Sequence, residues 1–325
     1  MGELQLYSMD IVGTAGSSSP PAYDYLLLAG GSDTRAYEIL RKAKGSALLL
    51  KNTVLFDFEE RKSDPEEKVR IAYKAYENYD CNVHSIECSI KDPSACLKSL
   101  EKNDLPLKEG QSIAVDISCF TKPYFFAILK YLKDHKHLST ITVFYTEPIA
   151  YRLSKGFYKS YHSSEGPLSI IELPGFPGLE RRAAKSLLVV LVGFDGELSS
   201  YISEEVAPEK TIVVNGFPSY TPKFKDVSMI NNEKILGSSG ALNSVKFARA
   251  NNPFETFNLL DAIQKESGNA FLNIAPLGTK PMALGACLFA LMNSSTRILY
   301  PMPEKYTNVT TERCWQSWRY VIPLK

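Results

Sequence analysis

The sequence predicts an α/β protein of two tandem Rossmann-like units, each a doubly wound parallel sheet, related by internal duplication. Three observations carry this expectation. Short apolar runs alternate with stretches of helical spacing along most of the chain, the pattern of parallel strands joined by right-handed crossovers. A Tyr-x-x-Pro-x-x-Tyr segment, Tyr145 to Tyr151, returns as Tyr300 to Tyr306. Other landmarks return in the same order at near-constant spacing: Gly30 as Gly193, Asp92-Pro93 as Asn252-Pro253, and Thr121-Lys122-Pro123 as Thr279-Lys280-Pro281. Duplication in turn predicts pseudo-two-fold symmetry and a site where the copies face each other.

Residues 1–22 end in Gly16-Ser17-Ser18-Ser19-Pro20-Pro21 and read as a tail. The first unit, 23–152, opens with the apolar run Tyr23 to Ala29, a buried strand ending in Gly30-Gly31. Helical spacing follows over Asp33 to Lys44, then a strand at Thr53 to Phe58 and a helix at Pro65 to Tyr79. Asn82 to Glu87 alternates like a strand, and Pro93 to Glu101 opens a helix with proline in its first turn. Ser112 to Ile117 is a strand, Lys122 to Lys133 a helix and Thr140 to Tyr145 the last strand. Residues 153–185 form a linker rich in glycine and proline, with a strand at Leu168 to Glu172. The second unit, 186–325, repeats the order. Strands are expected at Ser186 to Val192, Thr211 to Asn215, Ser244 to Ala248, Ala270 to Ala275 and Arg297 to Tyr300. Helices are expected at Glu197 to Val206, Asn232 to Ser238, Pro253 to Glu266 and Pro281 to Met292, with a Pro- and Lys-bearing loop after Asn215. Its C-terminal extension, Thr307 to Lys325, carries both tryptophans, Trp315 and Trp318, and is expected to pack back on a sheet.

With 44% hydrophobic and 22% charged residues, the chain has the composition of a water-soluble globular protein. A net charge of +1 gives no global attraction to nucleic acid or an anionic membrane. Apolar runs such as Leu187 to Val192 and Ala283 to Met292 are too short to span a bilayer. No basic-then-apolar leader opens the chain, and Leu6 breaks the myristoylation pattern. None of the six cysteines forms a Cys-x-x-Cys pair, several fall inside predicted strands or helices, where a small buried thiol is ordinary, and a reduced cytoplasmic compartment is expected. No cluster has zinc spacing, and neither metal nor cofactor is expected.

Ligands of open parallel sheets bind beyond the carboxyl ends of the strands. The loops after strand one read Gly30-Gly31-Ser32-Asp33-Thr34-Arg35 and Gly193-Phe194-Asp195-Gly196-Glu197. Glycine there lets backbone N–H groups approach an anion, whereas Asp195 and Glu197 repel phosphate, so the copies have diverged. A tight turn with a capping residue accounts for the same loops. After strand four, Thr121 and Thr279 suit helix caps and the following prolines suit the first turn. Lys122 and Lys280 sit where the helix dipole disfavours a cation, which makes sense if lysine and dipole meet an anion together. The repeated tyrosines at the ends of the fifth strands offer either base stacking or packing. His162, in the linker, is the one histidine placed near a cleft mouth.

Gly30-Gly31-Ser32-Asp33-Thr34 resembles the Ser-Gly-Gly-x-Asp-Ser loop of PP-loop ATP pyrophosphatases, with Ala29 and Thr34 at its outer positions. Leu272-Asn273-Ile274 through Leu277-Gly278-Thr279-Lys280-Pro281-Met282 resembles the strand-four signature of CARF domains, Rossmann-like sensors of cyclic oligonucleotides in prokaryotic immunity. The SAVED family fuses two such units in one chain. The first copy departs from the signature with Phe120 in place of glycine. The CARF-like resemblance implies a nucleotide ligand, a protein partner that reads its occupancy and a role in antiviral signalling. The ligand-binding set is then Gly30, Gly31, Ser32, Asp33, Arg35, Thr121, Lys122, Asp195, Glu197, Gly278, Thr279 and Lys280. Two rivals use the same fold: a ring-nuclease-like or nucleotide-hydrolysing enzyme, with Asp195 and Glu197 as base or metal ligands, and an assembly scaffold. A homo-oligomer is compatible with each.

Overall fold

The computed structural model describes residues 7–13, 20–31, 33–62, 82–92, 98, 110–135, 138–151, 164–178, 186–237, 245–268, 270–306, 311 and 313–324. The chain forms two compact units, Met1–Tyr151 with Thr310–Lys325, and Arg152–Val309.

The first unit begins with β1 (Ser8–Ile11) and β2 (Ala22–Ala29). A 3-10 turn over Thr34–Tyr37 then runs into α1 (Glu38–Lys44). It continues through β3 (Leu49–Phe58), α2 (Glu59–Lys62), β4 (Asn82–Cys88), β5 (Ile113–Asp116), α3 (Lys122–His135) and β6 (Thr140–Pro148). The second unit contains β7 (Ser164–Glu172), β8 (Ser186–Val192), α4 (Gly196–Val206), β9 (Lys210–Gly216), α5 (Pro222–Asn231), α6 (Glu233–Gly237) and β10 (Lys246–Ala248). It ends with α7 (Pro253–Glu266), β11 (Phe271–Pro276), α8 (Lys280–Met292) and β12 (Arg297–Tyr306), after which β13 (Cys314–Pro323) closes the chain. Of the expected elements, the helix at Pro65 to Tyr79 falls outside the described residues, and so does that at Pro93 to Glu101 except for Lys98, which is helical.

Both sheets have the same parallel core. In the first the order is β6-β5-β2-β3-β4 and in the second β12-β11-β8-β9-β10, with neighbours parallel throughout. Numbered by their succession in each unit, the strands lie 3-2-1-4-5, the doubly wound Rossmann-like order. The central strands β2 and β8 read as near-continuous apolar runs because helices cover both faces of such a sheet, and Leu26, Leu27, Leu188 and Val189 are fully buried.

An antiparallel strand flanks the fifth strand in each sheet: β13 pairs with β6, and β7 with β12. Their chain order is reciprocal. β7 follows β6 but joins the second sheet, and β13 follows β12 but joins the first. The C-terminal segment, expected to extend the second unit, therefore completes the first. Ser8–Ile11, expected to lie in a tail, pairs with β13 on its outer side, where Arg319 grips Asp10 through Nη2 at 2.6 Å.

Local rules account for the element ends. Asn252 caps α7 by accepting from Phe254 N and Glu255 N, with Pro253 at the first helical position. α8 is apolar around nearly its whole circumference and is buried from Pro281 to Ala290. Gly285 lets it lie against α7, since a Cβ there would come within 2.3 Å of the Pro253 carbonyl oxygen. α5 replaces the loop expected after Asn215: Pro222 starts a helix rather than breaking one, and the segment buries little besides Phe224 and Ser228. No helix among the described residues is long and apolar enough to cross a membrane.

Candidate functional site

In both sheets the winding reverses between the first and fourth parallel strands, at β2/β5 and at β8/β11. The loops after those strands open at this switch point, the usual ligand position of doubly wound sheets.

In the first unit, Asp33 stands in extended backbone ahead of the 3-10 turn, and its Oδ1 accepts from Arg35 N at 2.9 Å. The Arg35 guanidinium folds back on the same carboxylate, Nε to Oδ1 at 3.1 Å and Nη2 to Oδ2 at 2.8 Å. Thr311 Oγ1 donates to Asp33 Oδ1 at 2.9 Å, brought there by a bridge between Tyr151 and Thr311. Burial pushes the Asp33 carboxyl up, but Arg35 and Thr311 outweigh it and hold the group down at about 2. Burial likewise opposes the Arg35 charge, which Asp33 restores and holds well above its ordinary value.

Around this ion pair lie groups that stay protonated. Burial pushes up the phenol of Tyr151, opposed by Arg35 and by a hydrogen bond with Tyr145. Burial and the neighbouring Cys314, Asp33 and Cys119 push up that of Tyr37. Burial also raises the Cys314 thiol, whose Sγ lies 3.5 Å from Thr34 Oγ1. A reactive cysteine needs the opposite shift. Nearby, Glu147 Oε1 accepts from the Trp318 indole N–H at 2.6 Å.

The strand-four loop of this unit is ordered by Asp116, which accepts from Ser118 N at 2.9 Å, while Ser118 Oγ accepts from Thr146 N at 2.8 Å. Phe120, where the second copy has Gly278, is a core ring packed edge-on against Phe56 and Phe58. Thr121 is buried, and its Oγ1 has no hydrogen-bond partner among the described residues. Lys122 begins α3 and is half-buried. Gly30 N donates to Phe56 O at 2.8 Å, so the start of the strand-one loop is tied to β3, and Gly31 takes a φ of 156°. Ser32 and His162 lie outside the described residues.

The second unit builds the same edge differently. The Gly193 carbonyl accepts from Ser228 Oγ at 3.0 Å and Asn232 Nδ2 at 2.8 Å, and the Phe194 carbonyl from Asn231 Nδ2 at 2.8 Å. A Cβ on Gly196 would sit 1.7 Å from the Asn231 carbonyl oxygen, and one on Gly193 2.6 Å from that of Leu277. These glycines therefore permit close backbone packing. Asp195 precedes α4 without a side-chain cap bond, and Glu197 is exposed in the first turn. Burial, the Tyr306 phenol and the Asp195 carboxylate together push the Tyr300 phenol well up. Gly278 packs under Met282, and Thr279 caps α8, accepting from Met282 N at 3.3 Å and donating to the Ala250 carbonyl. Lys280 follows, half-buried in the first turn.

Within each unit the strand-one loop meets the repeated tyrosines: Asp33 and Arg35 lie beside Tyr151, and Asp195 beside Tyr300. In the first unit Cys119 brings the strand-four loop to the same cluster. Sequence reasoning flagged the tyrosine motif, but it did not assign Tyr37, Glu147, Thr311, Cys314 or Trp318 to the site. Thr311 and Cys314 carry no local signal, because their place depends on the return of β13. Among the described residues no three His, Cys, Asp or Glu side chains gather as a metal site.

Fold and loops define a tandem Rossmann-like α/β protein with a polar edge in each unit. No protein-family model matches the chain, and no curated protein sequence matches it.

Proposed function

We propose that this protein binds a phosphate-bearing nucleotide at the carboxyl edge of its parallel strands and passes its occupancy to a partner protein. The observation that supports this most is the repeated placement of Thr-Lys-Pro at the start of the helix after strand four, in both copies, at the switch point. A half-buried lysine at a helix N-terminus and the positive end of the helix dipole can hold one anion together. The groups described around Asp33 are an internal ion pair, raised phenols and a raised thiol, which favour holding a ligand over attacking one. The CARF-like resemblance of the strand-four loop extends the proposal to a cyclic oligonucleotide and to cytoplasmic antiviral signalling in a prokaryote.

A thermal-shift series with linear and cyclic nucleotides tests this, run on wild type and on a Lys122→Ala/Lys280→Ala variant. A ligand that binds the folded state raises the melting temperature by mass action, by an amount set by its concentration over Kd. The shift is expected with wild type and lost in the double variant. Nucleotides that leave wild type unmoved, or move both proteins alike, sink the proposal. Mass spectrometry of the incubated ligand separates binding from turnover.

A further inference from the structure

We infer that Phe217 and Phe247 form a stacking platform for the base of the nucleotide, an inference that rests on the nucleotide reading above. Phe217 directly follows β9 and Phe247 lies in β10, the second and third parallel strands of the second unit. Their rings are 51% and 50% exposed and meet edge to face, with centroids 6.1 Å apart at 73°. Among the described residues these are the phenylalanines with half their surface in water. The Lys225 ammonium lies 5.7 Å from the Phe217 ring centroid while pairing with the Asp226 carboxylate at 2.9 Å. Arg249, one residue beyond β10, keeps a 60% exposed side chain while pairing with Glu255. Aromatic faces with basic neighbours fit an anionic ligand that carries a flat heterocycle.

The platform belongs to the same edge as the Thr279–Lys280 loop. Phe217 N donates to Ala248 O at 2.8 Å, and Ala250 N donates to Pro218 O at 3.0 Å. The Ala250 carbonyl accepts from both Tyr220 OH, at 3.0 Å, and Thr279 Oγ1. A Cβ on Gly216 would meet Met282 Sδ at 3.3 Å. A nucleotide with its phosphate at Lys280 thus has the two rings within its own unit to receive the base. Among the described residues the first unit has no such pair at this place: Glu59 and Glu60, both exposed, follow its second parallel strand and disfavour phosphate. The platform is a feature of one copy, and it selects for the base where the lysine selects for the phosphate.

The test uses the full chain and two fluorescently labelled probes, linear tetra-adenylate and the matched tetranucleotide without bases. Anisotropy titrations compare wild type, Phe217→Ala/Phe247→Ala, Phe217→Tyr/Phe247→Tyr and Lys280→Ala. Base-on-ring stacking of this kind is worth about tenfold or more in affinity, so wild type is expected to prefer tetra-adenylate by at least about tenfold. The alanine variant, its melting temperature unchanged because the rings are exposed, loses the preference. The tyrosine variant keeps it, and Lys280→Ala weakens both probes. A preference that survives in the alanine variant overturns the platform and leaves the nucleotide reading standing. Failure of wild type to bind either probe overturns the platform, while the thermal-shift series with linear and cyclic nucleotides decides the nucleotide reading separately. An alanine variant that changes oligomeric state with its base preference intact assigns the rings to contact between copies, and also overturns the platform.

Discussion

The strand-one loops of the two units occupy the same place in the same sheet order and are built on opposite charge logic. In the first, Asp33-Thr34-Arg35 closes on itself: the acid is consumed by the base two residues later and by Thr311. In the second, Asp195-Gly196-Glu197 places a second acid where the first copy has arginine, and the loop is held from behind through its carbonyls by Ser228, Asn231 and Asn232. Duplication preserved the scaffold and let each copy find its own way to fix the loop, by an ion pair in one and by backbone packing in the other. The strand-four loops differ in the same sense. Thr279 spends its hydroxyl on a helix cap, whereas Thr121 Oγ1 makes no hydrogen bond among the described residues.

The sharpest break in this comparison is expected from alanine at the glycines. Gly196→Ala drives a methyl into the Asn231 carbonyl, 1.7 Å away, and should cost more than about 5 kcal/mol, the range of exceptional single substitutions. Gly30→Ala meets its nearest atom, Leu55 Cδ1, at 3.3 Å, and should cost about 1 kcal/mol or less. Urea unfolding of both variants checks the ratio, and comparable losses would show that the second loop is not held by close packing.

Next in size is the ion pair. Arg35→Ala leaves the Asp33 carboxylate, 18% exposed, without its cation and should destabilise by about 2–3 kcal/mol, below the range for a fully buried pair. Glu197→Ala, at the equivalent exposed position, should stay within about 0.5 kcal/mol. Melting temperatures of the two variants decide it.

The pair also sets an acid limb. Asp33 titrates at about 2 when folded, below its ordinary value of 3.8. A depressed carboxyl contributes stability above its unfolded value and loses it as pH falls toward the folded one, here between about pH 4 and pH 2, for about 2 kcal/mol. Unfolding midpoints across that interval should fall less steeply in Asp33→Asn than in wild type. Parallel curves would remove the linkage.

The smallest contrast is between the threonines. Thr279→Val removes a cap and should cost about 1 kcal/mol. Thr121→Val buries a methyl where a hydroxyl has no described partner and should be neutral or stabilising by up to about 1 kcal/mol. A loss at Thr121 as large as at Thr279 would show that its hydroxyl is satisfied.

Much of the scaffold was legible in the residues. Leu187 to Val192 and Pro253 to Glu266 declare strand and helix by their own periodicity, and Pro253 after Asn252 marks a helix start without help from the rest of the chain. α5 was missed because Pro222 and two lysines read as a loop when the helix they open buries only two side chains. Of the candidate site, the positions of the loops could be read and the use of their side chains could not. That Gly193 and Gly196 make room for Leu277 and Asn231, and that Asp33 and Arg35 of one loop pair with each other, could not be read from the residues alone.

By itself the sequence determined the α/β class, the duplication and the succession of strands and helices, because these follow from local periodicity and from landmarks that recur in order. Only the tertiary structure decided that β7, from the linker, joins the second sheet and that β13, from the C-terminal extension, joins the first. It alone brought Thr311 and Cys314 to the strand-one loop of the first unit, and placed Phe217 against Phe247 with their rings in water. Each of those outcomes is a pairing between residues distant in the chain, and periodicity says which face a side chain takes but not what will stand opposite it.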